Sequence, residues 1–115
     1  MWYTKPYFDS DGDNTAQAIK TTAGDLYRLH VVNQNTADAY IQFFDTAAAG
    51  VTVGSTTPIQ SYLVPGGDGT NSGALDINLF DAPLTFQTAI TYGCTTTATG
   101  GTDPTTGLTV NALYR

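Results

Sequence analysis

The sequence predicts an all-β protein: a single antiparallel β-sandwich, jelly-roll-like and of about seven strands, preceded by an extended N-terminal arm. Three observations carry that expectation. Charged residues make up only 12% of the chain, against about 25% in an average soluble domain. The surface must therefore be dressed with Thr, Asn, Gln, Ser and Gly, and Thr favours strands. All ten acidic residues are Asp, which prefers turns and caps to helix interiors, and there is no Glu to dress a helix. Beyond residue 16, apolar residues recur at the strand spacing of two between Gly, Pro, Asn and Asp punctuation. A chain of 115 residues fits one core.

The elements follow in order. "MWYTKPYF" places four aromatics in eight residues around Pro6, and "DSDGDNTA" follows as a polar, turn-prone link. Residues 1–16 are thus expected to form an extended aromatic arm and hinge ahead of a sandwich domain at residues 17–115. Strands are expected at 17–22, 26–33, 39–45, 57–64, 74–80, 84–97 and 107–114. In the second, Tyr27, Leu29 and Val31 alternate with Arg28 and His30, which assigns the first set to the core. In the third, Ile41 and Phe43 go inward, leaving Tyr40, Gln42 and Phe44 outward. The same rule sends inward Ile59, Ser61 and Leu63, then Leu75, Ile77 and Leu79, then Ile90, Tyr92 and Cys94, then Leu108, Val110 and Ala112. "PGGDGTNSG" (65–73) and "ATGGTDPTTG" (98–107) are turn-forming. "TAAAG" (46–50) is long enough for one helical turn and no more.

Composition excludes several functions. A net charge of −6, with only Lys5, Lys20, Arg28 and Arg115 positive, opposes binding to a phosphate backbone, so nucleic acid is not an expected partner. No apolar run is long enough to span a bilayer, and the N-terminus lacks the basic and apolar regions of a secretion signal. The single Cys94 cannot form an internal disulfide, which fits synthesis in a reducing compartment.

Chemistry-bearing patterns are sparse. "DSDGD" (9–13) suggests a calcium loop, but an EF-hand beginning at Asp9 would need Gly and Glu where Asn14 and Lys20 stand. A looser calcium site and a solvated Asp-Gly turn are the two remaining readings. His30 alternates onto the polar face of its strand without a local nucleophile or zinc set. Cys94, in "TYGCTTTAT", has no flanking base and reads as a small buried hydrophobe. "GST" (54–56) is not a nucleophile elbow, and "GGDG" (66–69) lacks the Lys and helix of a phosphate cradle. No catalytic set, metal site, cofactor or small-molecule substrate is expected.

The arm resists a bland reading. Trp2, Tyr3, Tyr7 and Phe8 would together bury on the order of 600–1,000 Å² if covered, and one side of a standard protein interface is about 800 Å². That surface must pack on its own sandwich, on a sister subunit or on another protein. The residues expected to contact partners are these four together with the outward Tyr40 and Phe44.

The run "AIKTTAGDLYRLHVVNQNTADAYIQFFDT", then "TVGSTTPIQSYLVPGG", then "LTFQTAITYGCTTTATGGTDPTTGLTVNALYR" resembles a small β-sandwich module that recurs in virion proteins of tailed bacteriophages. The likeness covers roughly residues 18–115. Its marks are G-x-L-Y at Gly24 to Tyr27, N-x-N-x-A-x-A-Y at Asn33 to Tyr40, Q-x-F-D at Gln42 to Asp45, T-P at Thr57 and Pro58, and T-T-T-A-T-G at Thr95 to Gly100. The resemblance implies a non-enzymatic structural protein, made in the host bacterial cytoplasm and carried on the virion. Most concretely it implies a capsid decoration or cement protein that binds the major capsid protein, commonly as a homotrimer. The alternative it leaves is a tail, neck or fibre component with a receptor or carbohydrate role, in which Tyr40 and Phe44 would stack on a sugar.

Overall fold

A computed structural model describes residues 3–115, and the chain there is all-β: two antiparallel sheets packed face to face. The strands are β1 (Lys5–Gly12), β2 (Gln17–Lys20), β3 (Gly24–Asn33), β4 (Ala39–Phe44), β5 (Gln60–Val64), β6 (Gly73–Asn78), β7 (Leu84–Phe86), β8 (Ile90–Thr95) and β9 (Leu108–Tyr114). Sheet A runs β1-β9-β3-β6, with β7 also paired to β3, and sheet B runs β2-β8-β4-β5. "TAAAG" gives a single 3₁₀ turn at Ala48–Gly50. No described helix is long and apolar enough to cross a membrane.

The core lies between the sheets. Leu29 and Val31 of β3, Ile41 and Phe43 of β4, Ile90, Tyr92 and Cys94 of β8, and Leu108, Val110 and Ala112 of β9 form one cluster, nearly all fully buried. Leu75, Ile77 and Leu79 pack against it from the β6 side. These are the sets that the period of two selects.

Two features raise the strand number above the expected seven. The segment expected as an arm apart from the sandwich contains β1, which pairs with β9 from Lys5↔Tyr114 to Asp9↔Val110 and forms the edge of sheet A. The expected strand at 84–97 divides, because β7 joins sheet A and β8 joins sheet B. Asp45 fixes that crossing by accepting the backbone N–H groups of Gln87 (3.0 Å), Thr88 (2.7 Å) and Ala89 (3.3 Å).

Two inward assignments also change. In β5 the register Ile41↔Tyr62 and Ala39↔Val64 puts Tyr62 and Val64 on the core side and turns Ile59 and Leu63 outward, each 44% exposed. Both alternate sets of β5 carry apolar residues, so only the pairing with β4 decides between them. In β3 the register shifts between Leu26 and Arg28. The extra residue lets both Leu26 and Leu29 reach the core, and Tyr27 is buried against Phe80 instead, ring centroids 5.5 Å apart.

Candidate interaction surface

The residues that carry the family resemblance hold loops to strands. Asn33, fully buried, donates from Nδ2 to the carbonyls of Ala37 (3.0 Å) and Val64 (3.1 Å), and its Oδ1 accepts from Asn35 N–H (2.9 Å). Asn35 then exchanges hydrogen bonds with the backbone of Thr106, donating to its carbonyl and accepting its N–H, both at 2.8 Å. Gln42 Nε2 donates to Thr95 Oγ1 (2.7 Å) and to the Gly100 carbonyl (2.9 Å), which folds the 96–102 loop over the outer face of sheet B. Thr91 and Thr95, on that same face, are fully buried. The 46–59 loop completes the cover: a Cβ on Gly93 would meet Val53 Cγ2 at 2.8 Å, so a larger residue there would have to displace the Val53 side chain from β8.

The six residues expected at partner contacts separate under this geometry. Trp2 lies outside the described residues. Tyr3 and Phe8 are 69% and 65% exposed, on and just before the edge strand β1. Tyr7 turns inward on the same strand and meets Tyr92 in an edge-to-face contact with centroids 5.7 Å apart. Its hydroxyl bonds that of Tyr92 at 2.8 Å, and Tyr92 donates its own proton to Asp9. This chain of polar contacts ties β1 to sheet B through the core, and burial together with the Asp9 contact pushes the Tyr92 phenol far up. Tyr40 is partly buried. Phe44, expected to face a partner or a sugar, is 1% exposed, because the loops that cover the outer face of sheet B close over it. It is not available for either role.

Three apolar residues are exposed where the sequence pattern did not place them: Ile59 just before β5, Leu63 within it, and Phe80 at 48% exposure. Ile59 and Leu63 read as core residues from spacing alone, and nothing in the sequence marks them as surface.

The outer face of sheet A carries an open groove of about 290 Å³ lined by Pro6, Phe8, Arg28, His30, Asn111 and Leu113. Arg28 is engaged there by a two-pronged pair with Asp76, Nε to Oδ1 at 3.2 Å and Nη2 to Oδ2 at 2.9 Å. His30 stands opposite both Asp76 and Asn111 in the register. Cys94 is buried, and burial plus the nearby Asp9, Asp13 and Asp103 push its thiol well up, the reverse of what a nucleophile needs. Among the described residues no group of three or more His, Cys, Asp or Glu side chains is placed to hold a metal ion. In "DSDGD", Asp9 and Asp13 accept the backbone N–H groups of Asp11 and Thr15, each at 2.9 Å, as in ordinary Asp turns.

Three surface carboxylates set the acid response. The N–H of Gln87, and behind it those of Thr88 and Ala89, hold Asp45 below its ordinary value of 3.8. The N–H groups of Asn71 and Thr70 do the same for Asp68, and the Arg28 guanidinium does so for Asp76. A depressed folded-state value means that the stabilisation is present above the unfolded value and is lost as pH falls through the folded one. The chain is therefore expected to keep its denaturation midpoint down to about pH 5 and lose stability progressively between about pH 5 and pH 2. The loss is moderated because all three groups are screened by water. Urea titration monitored by circular dichroism checks this, and Asp45→Asn is expected to flatten part of the slope.

No protein-family model, no curated protein and no solved structure matches this chain.

Proposed function

We propose that the chain is a non-enzymatic structural protein of a tailed-phage particle, a decoration or cement protein that sits on the assembled shell and binds the major capsid protein. The observation that carries this reading is the use of its polar residues. Asn33, Asn35, Gln42, Asp45 and Thr95, polar residues of the resembling motifs, are spent on fastening loops, and only Asn35 borders a pocket, one of about 30 Å³. A module used this way presents a fixed shape to a neighbour. The exposed Tyr3 and Phe8 on one side, and Ile59 and Leu63 on the other, supply apolar surface for contacts made by many copies in parallel. Binding across junctions between shell subunits would oppose their separation under internal DNA pressure.

The test is the copy number of this chain in purified particles relative to the major shell protein, by quantitative mass spectrometry. A ratio comparable to that of the shell subunits is the expected result. A few copies per particle would move the protein to the tail, neck or fibre, and absence from particles would remove the virion role altogether.

A further inference from the structure

The groove on the outer face of sheet A gathers polar side chains that the fold leaves unused. Two rows of the strand register build it. In one, Pro6 of β1 stands beside Leu113 of β9, and Leu113 beside Arg28 of β3. In the next, Phe8 stands beside Asn111, Asn111 beside His30, and His30 beside Asp76 of β6. Pro6 and Phe8 both lie in the regular part of β1, ahead of the register shift that follows Asp9. Neighbouring strands are about 4.8 Å apart, so an exposed aromatic ring and three polar side chains follow one another in a line across the sheet. The side chains of His30 and Asn111, both half-buried, have no hydrogen-bond partner among the described residues. Arg28 and Asp76 are paired without being exhausted, because a guanidinium has further N–H donors and each carboxylate oxygen keeps a lone pair.

We propose that this groove binds a neutral sugar, one pyranose ring laid against Phe8 with its hydroxyls on Asn111 and His30. Charge selects against the alternatives. Arg28 and Asp76 offset each other, an anion would meet the field of a chain of net charge −6, and a cation would meet the Arg28 guanidinium. What the groove offers instead is donors and acceptors side by side, since an amide and a neutral imidazole each supply both. A hydroxyl needs that combination, because it donates one hydrogen bond and accepts others. Phe8, 65% exposed, supplies the apolar element: the face of its ring is negative, and the C–H groups on one side of a pyranose turn their positive ends to it. Pro6 and Leu113 continue that apolar strip. The volume of about 290 Å³ is just under the range of about 300–1,000 Å³ usual for drug-sized ligands, so the occupant is small. This inference does not depend on the virion role, although on a shell it would need the Ile59 and Leu63 side to face the capsid.

Proton–nitrogen correlation NMR of the full chain tests it, with the methyl glycosides of glucose, galactose and mannose as probes and glucuronate as the charged control, each titrated to about 50 mM, well above the millimolar range of weak binders. At least one neutral glycoside is expected to shift the amides of Phe8, His30 and Asn111 in a saturable way that added salt leaves unchanged. Phe8→Leu, which keeps an apolar side chain and removes the ring, is expected to weaken that binding by about tenfold. Asn111→Ala is expected to weaken it by about three- to tenfold, and Leu63→Ala, on the other sheet, to leave it unchanged. No saturable shift with any neutral glycoside, or shifts confined to other residues, overturns the proposal. So does binding that survives Phe8→Leu, or a preference for glucuronate that salt abolishes, which would make the groove an anion site. Shifts of the same amides on concentrating the sugar-free chain also overturn it, since a second copy would then occupy the groove.

Discussion

Phe43→Ala is expected to lower the free energy of unfolding by about 3–5 kcal/mol, a large share of the 5–15 kcal/mol that typically holds a domain together. Phe43 is fully buried, and its ring contacts Tyr62 and Phe86 with centroids 6.1 Å away and Tyr92 at 6.4 Å. Two of those rings belong to sheet B and one to sheet A, so removing Phe43 opens a void between the sheets that neither can fill without moving. For a domain of this size the melting temperature should fall by roughly 10 °C or more. Circular dichroism melts compare it with Phe43→Leu, which keeps most of the volume and should cost far less. Equal, small losses for both would show that the space between the sheets is loosely filled.

Asn33→Leu should be nearly as damaging although it exchanges a polar side chain for an apolar one of similar size at a fully buried position. The carbonyls of Ala37 and Val64 lose their donor, and the N–H of Asn35 loses its acceptor. Each stranded buried group costs about 1–3 kcal/mol, and a total of about 2–5 kcal/mol is expected after partial relaxation toward water. The loss should spread in a specific way. Asn35 holds Thr106 through its side chain, and its carbonyl accepts Gly67 N–H at 2.8 Å, so three loops share this anchor. Hydrogen exchange should rise together around residues 34–38, 66–68 and 104–107 and stay low in β8 and β9. Uniform loss of protection across the sheets would mean that Asn33 supports the whole fold and not this end of it.

How far the sequence reveals the molecule depends on whether a face is decided within a strand or by its neighbours. β8 and β9 are legible because one alternate set is plainly apolar: Ile90, Tyr92, Cys94 and Leu108, Val110, Ala112. β5 is not, since Ile59 and Leu63 compete with Tyr62 and Val64 on equal terms and only the β4 register separates them. β4 misleads for another reason. Its outward residues Gln42 and Phe44 are both buried, Gln42 under a loop whose Gly100 carbonyl it reaches 58 residues away, and alternation carries no trace of such a cover. The aromatic N-terminal segment was visible as unusual, yet its pairing with β9 joins the two ends of the chain, a contact over a hundred residues long that no local pattern encodes. Of the expected contact residues, Tyr3 and Phe8 lie open, while Tyr7 and Phe44 serve the interior. The loop anchors Asn33 and Gln42 were legible as motif residues without their purpose being legible.

The pairing of Lys5 with Tyr114 and of Pro6 with Leu113 sets how the molecule would respond to a pull. Because β1 and β9 run antiparallel with their outer ends side by side, tension applied to the two termini loads the ladder as a zipper, rupturing one pair of bonds at a time at low force. Tension applied along the strands, from opposite ends of neighbouring ones, meets the ladder in shear, where many bonds must break together. Optical-tweezer handles at the ends should therefore report a mechanically soft protein, and handles at the Lys5 end of β1 and the Leu108 end of β9 a stiffer one. Any tether that uses this domain to resist force has to load its strands lengthwise.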